Sequence, residues 1–329
     1  MLEKYKGLVI GSGWSGATRE EGNHADCYQT HSKCVLLGVM DISAEKAQKA
    51  SLDHHCRYYP EIESALKDNP DIVSLAIHPQ WRMEYLNKIC EHSSVKAIFC
   101  EKPLGSSTAE AIDIVKICKK AGKFLYVNYQ RRVNRTNQQL KKEFENRVRG
   151  NLQHVNFYIM RGMWTAASHY IDLGLMYFGK PDWVFAVESP IPSPYSYDKN
   201  ATILLGYPQF QIHIIPLLSW DKGFYTCDQE FIFDKEKFYI PNVSFYQNED
   251  VTHFKVEDHT LKRVSSDIKL HRDSSDYLPV LDQIVADLDK EATEECMDPM
   301  KSVWSVKILE LANRSKEEMR RIDIPATLN

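Results

Sequence analysis

Four short stretches of this 329-residue chain carry residue types that could do chemistry. Gly11-Ser12-Gly13-Trp14-Ser15-Gly16 spells G-x-G-x-x-G directly after the apolar run Gly7–Ile10. Glycines so spaced permit a tight turn and let backbone approach a pyrophosphate, with N–H donors at a helix start. The blander reading is a glycine-rich turn. Asp41 closes a second apolar run, 30 residues after Gly11. A carboxylate there can accept both hydroxyls of an adenosine ribose and repels a 2′-phosphate. No Arg or Lys follows in Ile42-Ser43-Ala44, which favours NAD over NADP. The spacing exceeds the usual interval of about 20 residues, and we place an insertion at Ala17–Asn23. The alternative role for Asp41 is a helix N-cap. Glu101-Lys102-Pro103 follows a further apolar run. A partly buried lysine at a strand end can exchange a proton with an alkoxide; the alternative is a lysine in a surface turn. His169 and Asp172 stand three apart, on one face if helical, as a pair that orients an imidazole or as a purely structural pair.

The segments around these residues show how they would be positioned. Gly7–Ile10, Val35–Met40, Asp71–Ile77, Val95–Cys100 and Phe124–Val127 are short apolar runs between polar stretches, the pattern of strands buried on both faces. A helix is legible after Ser107, with Glu110 at capping-box spacing, a stripe of Ala111, Ile114, Val115 and Cys118, and Gly122 to end it. Alternating strand and helix predicts an N-terminal doubly wound parallel sheet over 1–128. From 129 to 329 the pattern changes. Gln153–Ile159 alternates, 201–205 and 210–215 flank a turn, strand-like stretches follow at 224–233 and 237–246, and two apolar-striped helices close the chain. That predicts an α+β domain with a largely antiparallel, open sheet.

Composition narrows the class. Apolar residues are 43% and charged residues 26%, which excludes a disordered chain, and the net charge of −4 offers no field for nucleic acid. No apolar run approaches a membrane span and no secretory signal is present, so a cytoplasmic protein with reduced cysteines is expected. His24, Cys27, His31 and Cys34 have zinc-like spacing, but Cys34 abuts a strand, and no metal site is expected. Asp53-His-His-Cys56 spells the signature of a membrane-spanning acyltransferase class that this chain does not otherwise fit.

Taken in order, the glycine motif, Asp41, Asp71-Ile-Val-Ser74, Ile98-Phe-Cys-Glu-Lys-Pro103, Val127-Asn-Tyr-Gln-Arg-Arg132 and His169-Tyr-Ile-Asp172 resemble the Gfo/Idh/MocA family of glucose–fructose oxidoreductase and inositol dehydrogenase. The resemblance implies a Rossmann domain holding NAD (or NADP) on residues 11–16, Asp41, His78, Glu101 and Lys102. It implies Lys102 as proton donor or acceptor, His169 as its partner, and Asp172, Asn128 and Arg131 near a sugar, sugar derivative or cyclitol. It also implies a homodimer or homotetramer built on the open sheet. Two departures stand out. Thr165 occupies the position where many relatives carry a catalytic aspartate, and Ile77-His78-Pro79, followed by Arg82, replaces the usual Thr-Pro-Pro and later His. Arg82, Arg161 and Trp164 are candidates for substrate specificity. The alternatives on this scaffold are an NAD-dependent glycoside hydrolase and a non-catalytic cofactor-binding protein.

Overall fold

The computed structural model describes residues 4–19, 22–146, 148–218, 227–241, 250–271, 276–289 and 298–328. The chain divides into two compact units, Met1–Val133 with Asp273–Val303, and Asn134–Arg272 with Trp304–Asn329.

In the first unit, β1 (Tyr5–Ile10), β2 (Cys34–Met40), β3 (Arg57–Tyr59), β4 (Ile72–Leu75), β5 (Ala97–Cys100) and β6 (Phe124–Val127) form a sheet of order β3-β2-β1-β4-β5-β6. Every pairing in it is parallel. The strands alternate with α1 (His24–Thr30), α2 (Ala44–Asp53), α3 (Ile62–Leu66), α4 (Pro79–Glu91) and α5 (Thr108–Lys120). The central strands β4 and β5 are buried at every position, Ser74 of β4 included. Ser107 caps α5 by accepting the Glu110 N–H, and Gly122 ends it at φ +67°. The Glu110 carboxylate reaches Ser106 and not Ser107, so the capping box is displaced by one residue.

A single cut at 128/129 is not where the units divide. The helix of residues 278–288 belongs to the first unit. Its stripe Val280, Leu281, Ile284 and Val285 shares one core with Val9, Ile72, Ala97 and Phe99. Tyr5 and Lys33 also bond Asp289 just beyond that helix.

In the second unit, α6 (Arg135–Glu145) precedes β7 (Leu152–Ile159), then α7 (Ser168–Phe178) and β8 (Trp183–Glu188). Strands β9 (Ala201–Gly206) and β10 (Gln211–Pro216) form the expected hairpin. β11 (Gln229–Phe233), β12 (Glu236–Ile240), β13 (Thr252–Glu257) and β14 (Thr260–Val264) form a meander. After α8 (Leu278–Leu288) and α9 (Pro299–Glu318), β15 (Ile322–Asp323) pairs with β8. The described sheet runs β14-β13-β12-β11-β7-β10-β9-β8-β15, antiparallel except for the β7–β10 pair. The parts of the expected strands at 224–226 and 242–246 lie outside the described residues. One sheet face is buried with α7, which ends at Gly179 (φ +74°) as Gly and Pro there predict. Among the described residues no helix is long and apolar enough to cross a membrane, and the seven described cysteines are free thiols.

Rings dominate the second core. Phe231 lies within 6.2 Å, centroid to centroid, of Phe144, Phe157, Tyr177 and Phe238. Phe231→Ala should therefore destabilise the protein by about 3–5 kcal/mol, read as a lower denaturant midpoint; an unchanged midpoint would contradict this packing.

Candidate active site

The glycine motif lies at the carboxyl end of β1, on the edge where doubly wound sheets bind ligands. Gly11 has φ +92°, and a Cβ there would meet the Ala76 carbonyl oxygen at 2.4 Å. A Cβ on Gly16 would stand 1.8 Å from the Gly11 carbonyl oxygen, so the turn closes only with glycine at both places. A Cβ on Gly13 would meet nothing within 4 Å: the chain leaves space on that side. From Gly13 the backbone enters one wide helical turn, Trp14–Thr18, with Ala17 N–H bonding the Gly13 carbonyl. Trp14 is exposed and carries the Arg19 guanidinium 5.0 Å from its ring centroid.

Asp41 binds the same turn. Its Oδ2 accepts the Ser12 N–H (2.8 Å) and Oγ–H (3.1 Å), and its Oδ1 accepts the Ser43 N–H (2.8 Å). The N-cap of α2 is Ser43 and not Asp41. Asp41 thus braces the glycine turn while remaining partly exposed at its strand end.

Glu101 and Lys102 follow β5 on the same edge, and the Lys102–Pro103 peptide is cis. Glu101 is buried and well partnered. Its Oε1 lies 3.2 Å from His24 Nε2 and accepts the Asn128 amide N–H at 2.8 Å; its Oε2 accepts the Lys102 backbone N–H at 3.3 Å. Burial alone would push this carboxyl pKa up. The hydrogen bond and charge of His24, with Lys102 and Asn128, outweigh it and bring the pKa down to about 2. Behind His24, Nδ1 meets Ser74 Oγ at 2.9 Å, and Ser74 Oγ meets Tyr28 OH at 2.9 Å. Asn128 Oδ1 is buried with no hydrogen-bond partner among the described residues, an acceptor open to a ligand donor.

The specificity candidate Arg82 is buried in α4. It donates to the carbonyls of Ile77 and Pro103 and so ties the loops after β4 and β5 together. It braces these two loops. His78 is exposed at the start of α4. Arg131 lies in the single turn Gln130–Arg132 beyond Asn128.

In the second unit, His169 and Asp172 lie one turn apart on α7, both buried. Asp172 Oδ1 accepts the Ser305 hydroxyl at 3.1 Å. The wide turn Met163–Ala167 leads into α7 and is pinned by a residue that sequence reasoning missed. Buried Asp198 accepts the N–H groups of Trp164 (2.9 Å) and Thr165 (2.7 Å). A Cβ on Gly162 would fall 2.0 Å from the Asp198 carboxyl carbon. Arg161, just before, has φ +101°, a costly backbone state for a side chain of its size. Nothing in the local sequence marks Asp198, since it sits in a Pro- and Tyr-rich loop far from the His motif. His24 was visible only as one quarter of a zinc-like spacing. In the fold it meets Glu101, while His31 meets Asp282 at 3.2 Å and Cys34 opens β2.

Residues 5–129 match the oxidoreductase family GFO_IDH_MocA, with its NAD-binding Rossmann fold. The match covers the strands and helices of the parallel sheet and stops at residue 129. The whole chain also has the fold of solved oxidoreductases. The WlbA dehydrogenase of Bordetella pertussis, solved with NADH and UDP-GlcNAcA, is 18% identical with a TM-score of 0.77, over 99% of this chain and 100% of that one. The WlbA enzyme of Chromobacterium violaceum, with the same ligands, is 20% identical at a TM-score of 0.77, over 99% and 97%. An Agrobacterium radiobacter oxidoreductase solved with NAD+, L-tartaric acid and magnesium is 15% identical at 0.76, over 97% and 98%. Residues 5–129 thus carry the fold of an NAD-binding oxidoreductase family. The glycine turn, the space beside Gly13, the strand-end carboxylate of Asp41 and the open acceptor of Asn128 fit that cofactor.

The ionised, buried Glu101 has a pH signature. Its folded pKa of about 2 lies below the ordinary 4.5. The stability it contributes is therefore present above pH 4.5 and lost as pH falls from 4.5 towards 2. Wild type should lose about 3 kcal/mol more than Glu101→Gln across that window, measured by chemical denaturation at stepped pH. Parallel curves for the two proteins would contradict an ionised Glu101.

Proposed function

We propose that this protein is an NAD-dependent dehydrogenase acting on a hydroxyl-bearing carbon of a sugar, sugar derivative or cyclitol, with Lys102 as the acid/base. The observation that carries the reading is the placement of Lys102. It follows β5 on the ligand-binding edge of the sheet, and its backbone N–H is held by the buried carboxylate of Glu101. When bound, the nicotinamide supplies the hydride acceptor or donor.

The chain's own part is proton management and orientation. Lys102 Nζ takes the proton of the substrate hydroxyl on oxidation and returns it on reduction. The anionic Glu101 beside it is an electrostatic partner for the ammonium form. Asp41 holds ribose hydroxyls at the strand end, and residues 11–16 hold the pyrophosphate. From the second unit we assign His169 to hydrogen-bond the reacting oxygen, with Asp172, Trp164, Thr165 and Arg161 near the substrate. Thr165 cannot act as a carboxylate base, so proton transfer rests on Lys102. The WlbA relatives were solved with a nucleotide sugar acid, which places such compounds in the substrate panel beside inositols and free sugars.

We also assign a homodimer or homotetramer. The outward face of the nine-stranded sheet carries Tyr158, Phe185, Leu204, Ile215, Ile232 and Tyr239, all only half-buried in the single chain.

The test is NADH absorbance with NAD or NADP against that panel. Lys102→Ala should lower kcat by roughly 10²–10⁴ and leave NADH affinity unchanged. Equal turnover by the two proteins on the same substrate would remove Lys102 from the mechanism.

A further inference from the structure

The long interval between Gly11 and Asp41 has a structural use. After the turn Trp14–Thr18 the chain does not continue as a helix. α1 restarts at His24, behind a new cap: Asn23 accepts the Asp26 N–H, and Asp26 accepts the N–H groups of Gly22 and Asn23. Residues 20–21 lie outside the described residues. The first residue of this restarted helix is His24, fully buried, between the strand ends of β4 and β5. Its ring is fixed on every side. Phe99 (4.3 Å) and Tyr277 (5.0 Å) meet it edge-on, Ser74 holds Nδ1, and Glu101 faces Nε2.

We propose that His24 is a positioning residue for Lys102: the Asn23-capped start of α1 delivers it to Glu101, whose carboxylate it holds in the orientation that fixes the lysine backbone. The inference rests on the role given to Lys102 above.

A buried carboxylate costs several kcal/mol unless it is paired and hydrogen-bonded. Glu101 has no arginine on it in the described structure; its partners are His24, the Asn128 amide and the Lys102 N–H. The other charged or titratable groups near it are Lys102 itself, Cys100 in β5 and Tyr277 before α8, which Arg19 overlies at 5.8 Å. Burial raises the Cys100 and Tyr277 pKa values, so both are neutral at assay pH. Of the two side chains that hydrogen-bond Glu101 from other elements, His24 and Asn128, only the imidazole can carry a positive charge. Removing its ring leaves Asn128 and Lys102 to hold a carboxylate at the same depth. The carboxyl should then protonate at higher pH and release the Lys102 N–H.

The test compares wild type with His24→Leu and His24→Gln, the second keeping an amide donor without the charge. The first readout is the carboxyl band of Glu101 in infrared pH titration, identified by its absence in Glu101→Gln. The Glu101 midpoint should rise by at least a full pH unit in His24→Leu and by less in His24→Gln. The second readout is the pH profile of kcat. His24→Leu should gain an acid limb above that of wild type, with NADH affinity retained, and His24→Gln should recover part of the loss. An unmoved Glu101 band overturns the inference. So does a loss of kcat that is uniform across pH and not recovered by His24→Gln, because a merely structural ring would give it. If His24→Leu does not fold, the His24→Gln band decides alone: a raised midpoint supports the inference and an unmoved one overturns it. If no substrate turns over in wild type, the dehydrogenase reading fails, and the infrared titration still decides what His24 does to Glu101.

Discussion

A carboxylate buried in the first unit organises much of what surrounds it. Glu101 lies buried at the end of β5, and its compensating groups come from three places. His24 comes from α1, Asn128 from the end of β6, and the N–H from Lys102 itself. Three separate stretches of chain are thereby drawn to one point at the carboxyl edge of the sheet. A second brace works in parallel: the buried Arg82 guanidinium grips the carbonyls of Ile77 and Pro103 in the two strand-end loops. Lys102 and the loops after β4 and β5 are thus held by buried side chains that come from other elements.

Much of this was legible in the sequence, for identifiable reasons. Strands buried on both faces leave continuous apolar runs, so β1, β2, β4, β5 and β6 could be read directly. Glycines forced by φ or close approach leave an unmistakable spacing, as Gly11 and Gly16 do. The His169–Asp172 helix declared its end through Gly179. What could not be read was long-range pairing of polar groups. His24 and Glu101 are 77 positions apart, and nothing near either names the other. Asp198 is 33 positions beyond Thr165, and it binds backbone, which has no sequence signature. Asp41 was read with a cap as its alternative role; the cap is Ser43, and Asp41 serves the glycine turn instead.

The unit boundary was misread for a related reason. The stripe on α8 shows that the helix must cover an apolar surface, but amphipathicity is silent about which surface. Two sheets were available, and local order favoured the nearer in sequence. The helix instead shares the core of the first, through Val280, Leu281 and Ile284.

That return of α8 affects how the chain is made. A nascent chain emerging from the ribosome presents all six strands of the first sheet by residue 127, yet the helix that completes this core follows only after residue 277. Until then Val9, Ile72 and Phe99 lack part of their cover. Synthesis of β7 to β14 of the second sheet intervenes, during which an unfinished apolar flank is exposed to neighbouring chains. The first unit is therefore the earlier to begin and, for want of one helix, among the later to finish. Its contacts span nearly the full chain, which slows folding relative to a self-contained domain of the same size and gives a holding chaperone a defined interval in which to act.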